Sequence, residues 1–356
     1  MAALVALSLG LAWTGGGCSS TGKSSATSTI VAAATATPTA PAASTPTRTP
    51  TSPPSGSPTP SAGSFVYITD YIGNQVGVLD VQSQAVVATI PVGSYPIKAA
   101  VSPDRSEVWV LNFGSSNLSV VAAPANGVIA TVSVGSPVLD LAFHPNGSRV
   151  YVTSSGPPAW NVLDTATRAV VASASLPANA SGLAIAPNGS RGYLLNGSNA
   201  LLTVDLASSA VIASVAIYSA VASALSPDGS FAYVTCGFVP GWVTVVDTAA
   251  AAVVASFPVA DGPEEITVSP NGSRGFVAGC SFPVEMQVLD LAAFAQVSSV
   301  AIGGAGGLRH IALTQDGSTA YLSSTTGALT IVDVAANAVV ATVWLGGYPY
   351  AVAIRP

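Results

Sequence analysis

Charge is scarce in this chain. Lys and Arg together number 10, Asp and Glu 16, and charged residues make up 7 % of 356 positions. Lys23 and Lys98 are the only lysines. A phosphate-binding surface needs clustered Lys and Arg, so nucleic acid is excluded as a partner. Two histidines and three cysteines are too few for a His-rich copper centre or a CxxC zinc site, and no metal or cofactor is expected. A long unbroken apolar run is also missing: the apolar stretch 2–13 is too short to span a bilayer as a helix. Pro (26) and Gly (34), by contrast, are so frequent that a long-helix protein is ruled out. The remainder is largely Val, Ala, Ser, Thr, Leu and Ile, which is strand and turn material.

The N-terminal segment AALVALSLGLAW is followed by Thr14-Gly15-Gly16-Gly17-Cys18. It resembles a bacterial lipoprotein signal peptide over residues 1–18, and the resemblance implies that Cys18 is the lipid attachment point after cleavage. Cleaved secretion without lipid, or a buried apolar segment of the fold, are the other readings. Residues 19–64 are Ser, Thr, Pro and Ala with no apolar periodicity. Such a tract cannot bury enough surface to offset its ordering entropy, and its Thr-Pro and Ser-Pro steps favour an extended spacer. The expected location is extracytoplasmic, secreted or lipid-anchored at a bacterial cell envelope, with the membrane touched only through the anchor.

From Phe65 the chain repeats itself to Pro356. The marker is a turn, Ser102-Pro103-Asp104, His144-Pro145-Asn146-Gly147, Ala186-Pro187-Asn188-Gly189, Ser226-Pro227-Asp228-Gly229 and Ser269-Pro270-Asn271-Gly272, with a degenerate copy at Thr314-Gln315-Asp316-Gly317. Ser at the first position, Pro at the second and Gly at the fourth suit a type I turn. A spacing of about 40 residues with this much strand character indicates a propeller rather than a helical solenoid. Each repeat reads as four strands, as in Val150–Thr153, Val243–Asp247 and Val86–Ile90. Little polar alternation is expected, because blades packed on two neighbours bury both sheet faces.

Tyr151-Val152-Thr153, Val162-Leu163-Asp164-Thr165-Ala166-Thr167, Val170-Val171-Ala172 and Ile90-Pro91-Val92-Gly93 resemble the YVTN-type β-propeller repeat. The resemblance covers residues 65–356 and implies an all-β fold, a seven-bladed β-propeller of four-stranded blades. The phase of the repeat predicts its closure: the domain opens on a second strand, Phe65–Asp70, and ends on a first strand, Tyr350–Ile354. One blade therefore combines three N-terminal strands with one C-terminal strand.

Most charges have a structural role in the repeat. Asp80, Asp164, Asp205, Asp247, Asp290 and Asp333 occupy the turn after the third strand, where a carboxylate accepts backbone N–H bonds. Asp104, Asp228 and Asp316 sit in the Pro-Asp-Gly turn or its copies. Several charges that break the repeat fall in one column, five and six residues before the turn Pro, where the first strand lines the central channel: Ile97-Lys98, Leu139-Asp140, Ser181-Gly182, Val221-Ala222, Glu264-Glu265, Arg309-His310 and Tyr350-Ala351. A mouth made by Lys98, Asp140, Glu264, Glu265, Arg309, His310 and Tyr350 either binds a small polar ligand or a cation, or is a ring of mutually satisfied ion pairs.

The segment Leu308-Arg309-His310-Ile311-Ala312-Leu313 resembles the Pro-Arg-His segment of lactonase-type seven-bladed propellers. That resemblance implies an Arg and a His that contact an anionic substrate and polarise a lactone carbonyl. With Cys18 assigned to lipid, Cys236 and Cys280 are the remaining cysteines. They form either a disulfide between adjacent blades or two buried free thiols. The functional expectation is a monomeric surface module that binds or scaffolds a small polar ligand, a surface protein or a polysaccharide. A lactonase-like hydrolase at the channel mouth is the alternative.

Overall fold

The computed structural model describes Gly63–Pro356 apart from Pro124, Ser198, Phe238, Phe282, Gly304 and Ala305. The leader-like segment, Cys18 and nearly all of the Ser/Thr/Pro tract lie outside the described residues. The recurrent turn closes as its residues dictate: Gly147, Gly189, Gly229, Gly272 and Gly317 each donate their N–H to the carbonyl three residues earlier. Asp104, Asn146, Asn188, Asp228, Asn271 and Asp316 accept the N–H two residues on. On each side of these turns the β-branched runs pair as antiparallel strands.

Among the described residues there are 28 strands, β1 to β28 in chain order, arranged as seven four-stranded sheets. This is a seven-bladed β-propeller. The innermost strands are β4 (Pro96–Val101), β8 (Val138–Phe143), β12 (Ala180–Ile185), β16 (Ala220–Leu225), β20 (Pro263–Val268), β24 (Leu308–Leu313) and β28 (Pro349–Arg355). Each packs on the next around the channel, with β28 returning to β4. The closing blade runs β28-β1-β2-β3, where β1 is Phe65–Asp70, β2 Gln75–Asp80 and β3 Ala85–Pro91. Phe65 pairs with Arg355 and Tyr67 with Ala353, so the two ends of the repeat region meet in one sheet, as the phase of the repeat predicts.

The core is a set of interblade clusters. Trp109, Trp160, Tyr67, Tyr151, Tyr321 and Phe276 are fully buried between blades. At the turn face a second set of contacts links neighbours. A Cβ on Gly229 would meet Pro187 Cδ at 2.9 Å and one on Gly272 would meet Pro227 Cδ at 3.3 Å, and both glycines hold φ near +73°. Arg105 replaces the glycine in its own copy and reaches Gln315 instead, at 2.9 Å.

The expectation of burial on both sheet faces fails at the outermost strands, β3, β7 (Gly127–Ser133), β11 (Ala169–Ser175), β15 (Val211–Ala216), β19 (Ala252–Val259), β23 (Ala295–Ala301) and β27 (Ala338–Trp344). Their leading aliphatic residues, such as Val170 and Val171 or Val253 and Val254, are exposed. Blades diverge with radius, so the neighbour that covers an inner strand no longer reaches the outer one.

Polarity matters for the site. Inner strands begin at one face and run to the Pro-Asp-Gly turns at the other. β1 starts at the turn face, where Ser64 accepts the N–H of Val81. The chain from residue 63 thus enters on the face opposite the one where Lys98, Glu264 and Arg309 begin their strands. Removing Pro349–Pro356 should leave β1 paired with β2 alone, its inner edge exposed, and the channel open between β24 and β4. Light scattering and circular-dichroism melting should show aggregation or loss of the cooperative transition; an unchanged melting temperature would contradict the closure.

Candidate functional site

Adjacent residues in a strand normally face opposite sides. Here every innermost strand carries a register shift near its start. Pro96 pairs with Asn112 but Lys98 with Leu111, Pro263 with Gly279 but Glu265 with Ala278, and Leu308 with Ser324 but His310 with Ser323. A bulge re-aims the side chains beside it. It brings both members of Glu264-Glu265 and of Arg309-His310 to the channel, in two tiers.

The deeper tier holds Lys98, Asp140, Glu265 and His310. Lys98 Nζ lies 3.3 Å from Asp140 Oδ1, and His310 Nε2 lies 3.8 Å from Glu265 Oε2. Asp140 is buried and also accepts N–H bonds from Leu141 (2.7 Å) and from Leu183 of the next inner strand (2.8 Å). It therefore ties β4, β8 and β12 together. Burial pushes the Glu265 carboxyl up to about 7, against the pull of Lys98 and with help from Asp140. Burial also pushes His310 down to about 3, assisted by Lys98, so the imidazole is neutral at physiological pH. Burial opposes the Lys98 charge, but Asp140 and Glu265 outweigh it and the net shift is upward.

The outer tier holds Glu264, Arg309 and Tyr350. Arg309 Nη1 lies 3.3 Å from Glu264 Oε2, and Nη2 donates to Tyr348 Oη at 3.1 Å. Burial raises the Glu264 carboxyl despite Arg309, and burial takes Tyr350 to about 12. The Arg309 guanidinium lies over the Tyr350 ring, 5.9 Å from its centroid. Tyr350 stacks on Tyr71 at 5.7 Å, and Tyr71 on Tyr95 at 4.8 Å. Four planar groups thus form a continuous stack from the loop before β4 to the channel. Two buried polar atoms at the mouth have no hydrogen-bond partner, Arg309 Nε and His310 Nδ1.

All seven residues of the expected mouth therefore come together at one end of the channel, and the ion-pair reading holds for Lys98–Asp140 and Arg309–Glu264. Sequence reasoning missed Tyr71, Tyr95 and Tyr348. The available signal was the Tyr-Pro step immediately before the first strand in two neighbouring repeats, Tyr95-Pro96 and Tyr348-Pro349.

The Cys236–Cys280 bridge is not formed: Cys236 is a free, buried thiol whose Sγ faces Val234 O and Thr244 Oγ1. It packs in a cluster with Leu195, Leu201 and Ile217 of the preceding blade, not with the blade that carries Cys280. The turn aspartates behave as expected: Asp80, Asp164, Asp205, Asp247, Asp290 and Asp333 each accept backbone N–H bonds. Among the described residues no group of three or more His, Cys, Asp or Glu is placed to hold a metal ion.

No protein-family profile and no curated protein matches the chain. Solved structures do. A chain of Kuenenia stuttgartiensis hydrazine synthase superposes with a TM-score of 0.65 at 22 % identity, over 79 % of this chain and 92 % of that one. A functionally unknown protein from Desulfotomaculum acetoxidans DSM 771 superposes with a TM-score of 0.71 at 17 % identity, over 82 % and 98 %. The likeness is one of fold. At these identities it assigns no activity to the mouth.

Two outcomes test the geometry. Asp140→Ala strips Lys98 of its partner and leaves two buried N–H groups unmet, which should cost about 3–5 kcal/mol in urea unfolding. Glu265 has a sign that can be worked out. Its folded pKa lies above its ordinary value of 4.5, so its contribution to stability is full below pH 4.5 and lost as pH rises to about 7. His310 runs the other way, its contribution being lost as pH falls from 6.5 toward about 3. Glu265→Gln should therefore gain stability relative to the parent between pH 4.5 and 7, with a flat difference above. A difference independent of pH would contradict the burial of the carboxyl.

Proposed function

We propose that this chain is an exported binding module of the YVTN-repeat type, anchored through Cys18 and held off the envelope by residues 19–64, with the channel mouth as its recognition face. One observation carries the reading. Lys98, Asp140, Glu264, Glu265, Arg309 and His310, which break the sevenfold repeat, gather with Tyr350 and three further tyrosines at a single mouth, whereas Glu107 pairs with Arg168 and the turn aspartates serve the fold. The tract enters on the opposite face, so a tethered chain presents the mouth outward. The module acts as a monomer on a small polar ligand, a surface protein or a polysaccharide.

A lactonase-like hydrolysis is less well supported. Both terminal nitrogens of Arg309 are committed, to Glu264 and to Tyr348. Two glutamates beside it also make a poor host for an anionic substrate. The full chain, immobilised, should retain a component of a cell-envelope extract. Arg309→Ala should lose that retention and Asp228→Asn should keep it, since Asn fills the same turn position in three other repeats. Retention indifferent to Arg309→Ala would overturn the assignment of the mouth. Hydrolysis of a small lactone that disappears in His310→Ala would replace it with the hydrolase reading.

A further inference from the structure

Resting on that reading of the mouth, we propose that its ligand is a neutral saccharide, bound as a free oligosaccharide or as the end of a glycan chain. The charges argue first. Glu264 already neutralises Arg309 and Asp140 neutralises Lys98. The cation-accepting face of Tyr350 is taken by Arg309. A charged ligand of either sign would have to displace a pair that is already formed and largely desolvated.

What the mouth does offer is donors and acceptors side by side. The Arg309 side chain is 9 % exposed, and its Nε–H has no acceptor. His310 Nδ1 has no partner either. Glu264 and Glu265 supply carboxyl oxygens in the same space. A hydroxyl donates and accepts through one atom, and vicinal hydroxyls on a sugar ring meet such an alternation without adding charge.

Tyr95 is the second, independent observation. It holds φ at +53° in the corner before its inner strand, a corner that Ser219 and Gly262 occupy in two other blades. A bulky residue in that region is strained. The ring is nevertheless 45 % exposed, so burial does not explain its presence. Gly114 makes room for it, since a Cβ there would meet the ring at 2.5 Å. One face of Tyr95 rests on Tyr71, and the exposed part of the ring is a platform for the C–H face of a pyranose. Tyr71 and Tyr350 lie between Tyr95 and Arg309, so one sugar ring touches one end only. A di- or trisaccharide reaches both.

The test is titration of the full chain, by calorimetry and saturation-transfer NMR, with neutral mono-, di- and trisaccharides, a soluble neutral glucan, tetramethylammonium and gluconate. Saccharides should bind, the longer ones more tightly. Tyr95→Gly should weaken them about tenfold, the loss of one aromatic contact, without lowering the melting temperature. Tyr218→Ala, an exposed aromatic on the same face outside the stack, should change nothing. Binding of the glucan with competition by trisaccharide assigns chain ends, and binding of the short saccharides alone assigns free sugars. Absence of saccharide binding, or affinity unchanged in Tyr95→Gly, overturns the proposal. If tetramethylammonium or gluconate binds instead and Arg309→Ala abolishes it, the saccharide fails while the mouth survives as the recognition face. If envelope retention is also indifferent to Arg309→Ala, both readings fail together.

Discussion

The pairing of β1 with β28 is the contact on which both the fold and the site depend. A propeller buries its inner strands only while every blade has two neighbours, so one missing strand exposes a channel wall and two blade faces at once. The same seam builds the aromatic stack. Tyr71 comes from the N-terminal part of the closing blade, and Tyr348 and Tyr350 from the C-terminal end of the chain. The Tyr71 N–H donates to Tyr348 O, and Asp70 Oδ1 accepts the N–H of Tyr348. Gly347, at φ +60°, lies so close to Asp70 that a Cβ would collide with its carboxylate. Ring closure and site assembly are one event, and neither half of the seam holds the stack alone.

The fold was legible because each repeat states its own turns. Ser-Pro-Asp-Gly and the Asp after the third strand recur in phase, and the phase determines the blade count and the mixed closing sheet. The column of charges was legible for the same reason, since Lys98, Asp140, Glu264, Glu265, Arg309 and His310 interrupt a pattern. The bulge was not legible. Strict alternation would have sent one of Arg309 and His310 away from the channel, and no residue type announces the register shift that brings both in. Ion pairing was legible as a possibility at this column, but which charges pair was not, because that depends on which strands adjoin around the channel. The stack lay in loops, where Tyr71, Tyr95 and Tyr348 are far apart in sequence and meet only through closure. The disulfide expectation rested on elimination, and elimination says nothing about the direction of a side chain.

The outer strands pose a different problem. None of the seven carries a charged residue, and charge is a common guard against edge-to-edge pairing. A register shift recurs in every one, at Val87, Ile129, Val171, Ile212, Val254, Val297 and Val340. A bulge interrupts the row of free N–H and C=O groups that an invading strand would need. The regular bulge supplies the protection that composition withholds beside the exposed valines of the rim.

The entry of the chain through Ser64 into β1 has a mechanical consequence. β1 lies between β28 and β2, antiparallel to both, with pairs running from Phe65↔Arg355 to Asp70↔Pro349 on one side and from Phe65↔Asp80 to Asp70↔Gln75 on the other. Tension applied through the N-terminal tract acts along the strand. The two ladders are loaded in shear, many hydrogen bonds together, instead of being peeled one at a time. The strand that would yield first under traction is thus clamped on both flanks. A tether joined at an outer strand such as β3, with a single hydrogen-bonded neighbour, would transmit the same pull to one ladder only.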